Sequence, residues 1–295
     1  MATKPRQYKE GSFFEIFRYK DLLVQLVKRD IKLKYRRSFL GYVWSILNPL
    51  LIMIIMAIVF SFLFKREIAM FPIYLLAGRS VFEFINTAVS KALGAITDNA
   101  SLLKKTYVSK FMFPLSKITS VMVDFVFSMG ALIVVMIVFS FVEGKVLFSP
   151  WNFGIIIVVV EAYVFSIGFG LLMSQLHVFF RDIRYVYNAF STMVLYCSAI
   201  FYDVGMFYEK AKDQVDAGAA PLALYLAYFI EYFNPIYIYI KQFRFFVWAP
   251  AVENLPQWAM VTPVDFLLGF GYAILMLFIG VFFFKRAQDK FILYI

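Results

Sequence analysis

Arg79, Glu83, Asp124 and Glu161 stand inside otherwise apolar stretches of this sequence. An ionisable group in an apolar helix costs roughly 2.5–3.5 kcal/mol on insertion scales. It therefore usually faces protein or water. Arg79 and Glu83 have the i, i+4 spacing that lets one helix face hold both as an ion pair. The pair reads either as mutual neutralisation inside a bundle or as part of a hydrophilic pathway. Asp124 and Glu161 call for Lys or Ser partners on other helices, and the sequence names none.

Other chemistries lack their residues. The one Gly-Lys pair, Gly144-Lys145, is followed by Val146 and has Phe139 where a phosphate-binding loop needs its first glycine. The chain is not expected to hydrolyse nucleotide by that route. A single histidine, His177, and a single cysteine, Cys197, leave no ordinary His/Cys metal site and no intrachain disulfide. No acidic cluster of the kind that holds magnesium for phosphosugar transfer is visible. The expectation is a chain with no catalytic residues, metal or cofactor of its own. A site built from carboxylates alone is the enzymatic reading left open.

The elements that must hold these charges are membrane spans. The chain is 62% hydrophobic and 16% charged, against about 45–50% and about 25% in soluble domains. The uncharged run Phe39–Phe64 would reach about 39 Å as a helix, enough to cross a hydrocarbon core about 30 Å thick. Six spans are predicted, near 39–64, 71–96, 118–142, 151–176, 184–202 and 264–284. The fold class is an all-α polytopic membrane protein. Residues 203–263 form an external loop. Its aromatic stretch "PLALYLAYFIEYFNPIYIYIKQFRFFVW" is too interrupted to span, so it reads as short re-entrant or interfacial helices.

Twenty of the 29 basic residues fall in segments 1–38, 97–117, 177–184 and 285–295, and seven in the opposite set, Lys65, Arg66, Lys145, Lys210, Lys212, Lys241 and Arg244. The excess places both termini in the cytoplasm. No cleavable signal is expected, because the first 37 residues are polar and the first apolar segment is too long for a signal core. The net charge of +10 suits anionic lipid at a membrane surface, and nucleic acid is not an expected partner.

Segment 12–37 reads as an amphipathic helix at the cytoplasmic boundary. Ser12 and Glu15 form a capping box, and Phe13, Phe17, Val24, Val27, Ile31 and Tyr35 make its apolar face. Arg18, Lys28, Arg29, Lys32 and Arg36 take the other faces. The chain then turns at Ser38–Gly41. Pro49 removes one backbone hydrogen bond and is expected to kink the first span, with Asn48 able to satisfy a freed group. Between spans two and three, Asp98 or Asn99 can cap a short helix from Ala100 to about Met112, ended by Pro114.

The blocks "KRDIKLKYRRSFLGYVWSILNPLL", "YLLAGRSVFEF", "NASLLKKTYVSKFMFPLSK", "FFRDIRYV" and "YFNPIYIYI" occur in an order that resembles the ABC-2 type permeases of bacterial polysaccharide export. Those proteins handle O-antigen, capsule and teichoic acid precursors. The resemblance covers nearly the whole chain. It implies residues 1–37 as a cytoplasmic segment with the interface helix, 38–288 as the transmembrane domain and 289–295 as a tail. It implies a half-transporter in the bacterial inner membrane. Two copies would form the pathway for a lipid-linked glycan, and two separate ATPase subunits would bind ATP and Mg. The interface helix, the helix after span two and the turn before span five would contact the ATPase. That makes Arg29, Asp30, Asn99, Ser101, Lys104, Lys105, Arg181 and Asp182 the expected coupling residues. The rival readings are an ABC-2 permease for a drug or simple lipid, and a membrane-embedded transferase acting on polyprenyl phosphate.

Overall fold

A computed structural model describes residues 19–36, 38–64, 68–105, 108–144, 146–252 and 254–294, and every regular element among them is helical. The expected capping box at Ser12–Glu15, Phe13 and Phe17 lie outside the described residues. So do Lys4, Arg6, Lys9, Arg18, Arg37, Lys65, Arg66 and Lys145 from the basic-residue argument.

The described helices are α1 Lys20–Tyr35, α2 Trp44–Phe64, α3 Phe71–Leu93, α4 Ala100–Lys105, α5 Met112–Glu143 and α6 Ile155–Phe179. They continue with α7 Ile183–Cys197, α8 Gly205–Asp216, α9 Leu222–Tyr228, α10 Pro235–Val247, α11 Pro263–Ala287 and α12 Phe291–Tyr294. Stretches 112–143, 150–179 and 257–294 are long and apolar enough to cross a membrane, and Gly41–Met56 and Leu222–Phe233 are shorter apolar helices. The chain is a membrane protein.

At the centre α3 packs on α5, α6 and α10, and α6 packs along α11. Small residues allow the closest of these contacts. A Cβ on Gly280 would strike the Gly168 backbone, and one on Gly168 would strike the backbone of Met276 and Leu277. In lipid, where apolar surface gains nothing by leaving water, such backbone approach gives van der Waals attraction its reach. By contrast, α2 and α7 leave Ile54, Ile55, Ile58, Tyr185, Val186 and Met193 exposed.

Three element boundaries differ from the sequence expectation. The helix expected over Ala100 to about Met112 is described over Ala100–Lys105 and does not reach residues 108–109, and Pro114 lies in the first turn of α5 instead of ending a helix. First-turn N–H groups have no intrahelical acceptor, so proline is tolerated there. Neither expected cap operates. The Asn99 amide donates backward to the Ala95 carbonyl at 2.8 Å, and a 3-10 turn leads directly into α4.

Span five, expected over 184–202, is helical only to Cys197, and Ala199 has φ 46°. The carbonyls of Ala199 and Ile200 bind the Arg244 guanidinium, so they cannot continue the helix ladder. The α1 face also differs. Leu26 and Val27 are buried and Leu23 packs on the core, whereas Val24, expected on the apolar face, is 48% exposed. Helix α1 docks on α5, so a protein groove rather than a planar lipid boundary selects the inward residues.

The region after α7 forms a helical hairpin. Asn234 Oδ1 accepts from the N–H groups of Ile236 and Tyr237, and Pro235 opens α10. The Asn234 amide also donates to Cys197 O at 3.1 Å and Ser198 Oγ at 3.0 Å. One side chain therefore caps the start of α10 and the end of α7. Helix α10 enters the bundle among α3, α6 and α11. On α8, Tyr208 donates to Glu231 Oε2 at 2.6 Å; burial first, then this carboxylate, raises the phenol above its ordinary range.

Candidate functional site

Lys34, Asn48, Pro49, Arg79, Glu83 and Asp124 line one cavity of about 360 Å³ between α1, α2, α3 and α5. Five of these six were singled out from sequence, although they lie on three separate helices. Arg79 pairs with Glu83 at 2.8 Å along α3. Asp124 on α5 pairs with Lys34 of α1 at 2.9 Å, and Lys91 of α3 stands 4.0 Å away. The partner of Asp124 is thus a lysine of the amphipathic helix. Helix α2 continues through Pro49. The proline withdraws the helical N–H that would reach the Ser45 carbonyl, and Ser45 lies on the same wall. Opposite charges, an amide and interrupted backbone give the cavity polar lining among apolar helices.

A second cross-link runs in the opposite sense. Asp30 of α1 pairs with Lys117 of α5 at 2.9 Å, and Arg29 closes on Asp30 at 3.1 Å. Helix α1 thus offers an acid and then a base, one turn apart, and α5 offers a base and then an acid. Sliding or reversing α1 would bring like charges together.

Glu161 is placed elsewhere, at the meeting of α6, α10 and α11. It is fully buried, and neither carboxyl oxygen has a hydrogen-bond partner among the described residues. In place of the expected Lys or Ser partner, its carboxyl group abuts Gly269, where a Cβ would strike Glu161 Oε2 and would meet the Gln242 amide. The absent side chain at Gly269 provides the space for the carboxyl group.

The expected coupling residues divide. Ser101, Lys104 and Lys105 on α4 are exposed, as are Arg29 on α1 and Arg181 and Asp182 between α6 and α7. Asp30 and Asn99 are committed to contacts within the chain. A shared cleft lined by Asp30, Gly94, Asp98, Lys117 and Arg184 joins α1, the end of α3, the start of α5 and the start of α7. Lys110 also donates to the Gln288 carbonyl at 2.8 Å, tying this end to the C-terminal segment.

Two polar clusters were missed in the sequence. Arg244 is 4% exposed and donates to Tyr74 O at 3.1 Å and to Ala199 O and Ile200 O at 3.0 Å each, with its guanidinium 3.4 Å above the Tyr74 ring. Lys241 pairs with Asp265 at 3.1 Å, and Gln242 donates to the Asp265 carbonyl at 2.9 Å. Asp265 also accepts from Thr262 N–H and hydroxyl in a capping box. The spacing Thr262-Pro263-Val264-Asp265 was a legible helix-start signal. In sequence Arg244 reads only as a loop charge, and nothing local distinguishes it from a solvated one.

Residues 21–211 match the family model for the ABC-2 type transporter. An O-antigen export system permease protein, RfbA, of Klebsiella pneumoniae is 30% identical over 190 residues, covering 64% of this chain and 72% of the relative. The RfbA permease of Myxococcus xanthus is 25% identical over 226 residues, covering 75% and 85%. A capsule polysaccharide export inner-membrane protein, CtrC, of Neisseria meningitidis is 23% identical over 206 residues, covering 68% and 75%. The matched residues contain α1–α7, the charged cavity and the exposed basic residues of α4. The chain belongs to the ABC-2 type transporter family.

Proposed function

We propose that the chain is the transmembrane subunit of an ATP-driven exporter. It carries a lipid-linked polysaccharide of the O-antigen, capsule or teichoic acid type outward across the inner membrane. The observation that carries this reading is the similarity, over most of the chain, to permeases named for O-antigen and capsule export. The charged cavity between α1, α2, α3 and α5 is consistent with a polar cargo rather than a purely apolar one.

The finer assignment has six spans, α2, α3, α5, α6, α7 and α11, with α9 and α10 as the re-entrant pair. Both termini are cytoplasmic. Two copies assemble with two ATPase subunits, which bind ATP and Mg. The ATPase meets the end bearing α1, α4 and the 180–183 turn, through Arg29, Ser101, Lys104, Lys105, Arg181 and Asp182. Apolar side chains exposed on α2 and α7 support a seam with lipid or a second copy.

Chromosomal replacement of the chain by a stop-codon version tests the cargo. The expected outcome is loss of surface glycan, with lipid-linked glycan accumulating on the cytoplasmic side, measured by glycan staining and lipid extraction. Surface glycan at its normal level would remove the proposal.

A further inference from the structure

A second cavity, of about 560 Å³, lies where residues 68–69, the start of α8 and residues 248–258 meet. It shares no lining residue with the charged chamber. In the proposed topology it opens at the outer end of the chain.

Its wall is a pair of indoles. Trp248 is 2% exposed and its N–H donates to the Ala69 carbonyl at 2.7 Å. Trp258 lies nearly parallel to it, with ring centroids 6.0 Å apart at 20°. The Tyr74 ring meets both edge-on. Trp258 itself is only partly buried and lines the cavity. Gly205 makes this position available, because a Cβ there would stand 2.7 Å from Trp258 Cδ1 and 2.8 Å from its Nε1.

Around the indoles stand acceptors. Asp203 is held by the Met206 N–H at 3.0 Å. Glu209 and Asn254 are exposed at the rim. No lysine or arginine is among the described lining residues.

A ligand for this cavity needs a flat C–H surface for an indole and hydroxyl donors at its edge for the carboxylates. A pyranose ring has both. An alkyl chain would desolvate two carboxylates without giving them a donor. A phosphate or a uronic acid would place a third negative charge beside them. The volume lies in the range of small-molecule sites.

We infer that this cavity is a saccharide site for uncharged pyranose units, separate from the chamber, engaging the exported glycan at the outer end. The inference rests on the export reading for its cargo and orientation.

The test uses the full chain reconstituted in nanodiscs, without ATPase or lipid carrier. Maltotriose, mannotriose and chitotriose serve as neutral probes and trigalacturonate as the acidic one, with calorimetry as the readout. At least one neutral trisaccharide binds, and trigalacturonate binds more weakly by about tenfold or more. Trp258→Ala lowers the neutral affinity by about tenfold. Glu209→Gln, at an exposed position that the fold does not need, removes one of the two carboxylate charges and narrows the gap between the neutral sugars and trigalacturonate.

Binding of none of the neutral sugars would overturn the inference. So would equal binding of the acid, or neutral affinity and acid discrimination unaltered in both variants. Cellular export is scored separately. Sugar binding without export would remove the export reading and leave the site, whereas export without sugar binding would remove the site alone.

Discussion

Arg244 is a buried cation whose hydrogen-bond partners are three carbonyls. A guanidinium can serve all three because its donors are fixed in a planar fork, and the Tyr74 face completes the enclosure. Gly78 leaves the space, since a Cβ there would strike the Arg244 guanidinium. Arg244→Gln is expected to destabilise the chain by roughly 3 kcal/mol, at about 1 kcal/mol for each of the three hydrogen bonds lost. Arg244→Lys recovers only part, because an ammonium cannot reach three acceptors in that geometry. Thermal unfolding in detergent measures both, and an unchanged midpoint for the glutamine variant would refute this role. At this scale the sequence was legible where charge interrupts an apolar run. Arg79, Glu83 and Asp124 were visible for that reason and converge on one cavity. Arg244 was not, because its partners are main-chain groups brought from α3 and the end of α7, and no side-chain pattern announces a carbonyl.

Between elements, the two ion pairs joining α1 and α5 fix the register of the amphipathic helix. Each is partly exposed, with side-chain exposures of 21% and 10% for Lys117–Asp30 and 43% and 15% for Lys34–Asp124. Each pair alone therefore contributes little to stability, and their opposite order is what carries information. Asp30→Lys sets a lysine against Lys117 and is expected to loosen α1, with loss of glycan export at unchanged membrane level. The double variant Asp30→Lys/Lys117→Asp restores the attraction and is expected to recover export. Failure of the swap to recover any export, with both variants stably inserted, would show that α1 is not registered by charge. The helix caps show how legible the elements were. Asn234-Pro235 and Thr262–Asp265 operate by local geometry that survives tertiary packing. Asn99 does not cap α4, because the 3-10 turn before it sends the side chain back to Ala95. Helix α7 ends at Cys197 for a tertiary reason, the guanidinium on Ala199 and Ile200, which a local apolar run cannot reveal.

For the whole molecule, two properties govern how it works as a transporter: its orientation and its copy number. Hydropathy and basic-residue placement made a bundle of apolar helices legible, but neither records which exposed apolar faces meet lipid and which meet protein. Orientation is tested at Asp213, exposed on α8. With Cys197 replaced, a cysteine there is expected to react with an impermeant thiol reagent in intact cells. Protection until the cells are broken would reverse the topology. Copy number belongs to the half-transporter proposal, in which ATP-driven work falls to a second kind of subunit, since the Gly144-Lys145 pair lacks the first glycine of a phosphate-binding loop. The charged cavity also lies to one side of a single bundle, next to α2, whose outer face is left exposed. A closed two-fold arrangement buries the same patch on both copies, and a matched pair of ATPases can then close beneath both. Native mass spectrometry of the complex, extracted from its own membrane, is expected to show two copies of this chain with two of an ATPase. A single copy that supports ATP-dependent export after reconstitution would refute the half-transporter assignment, because one chain would then complete the pathway by itself.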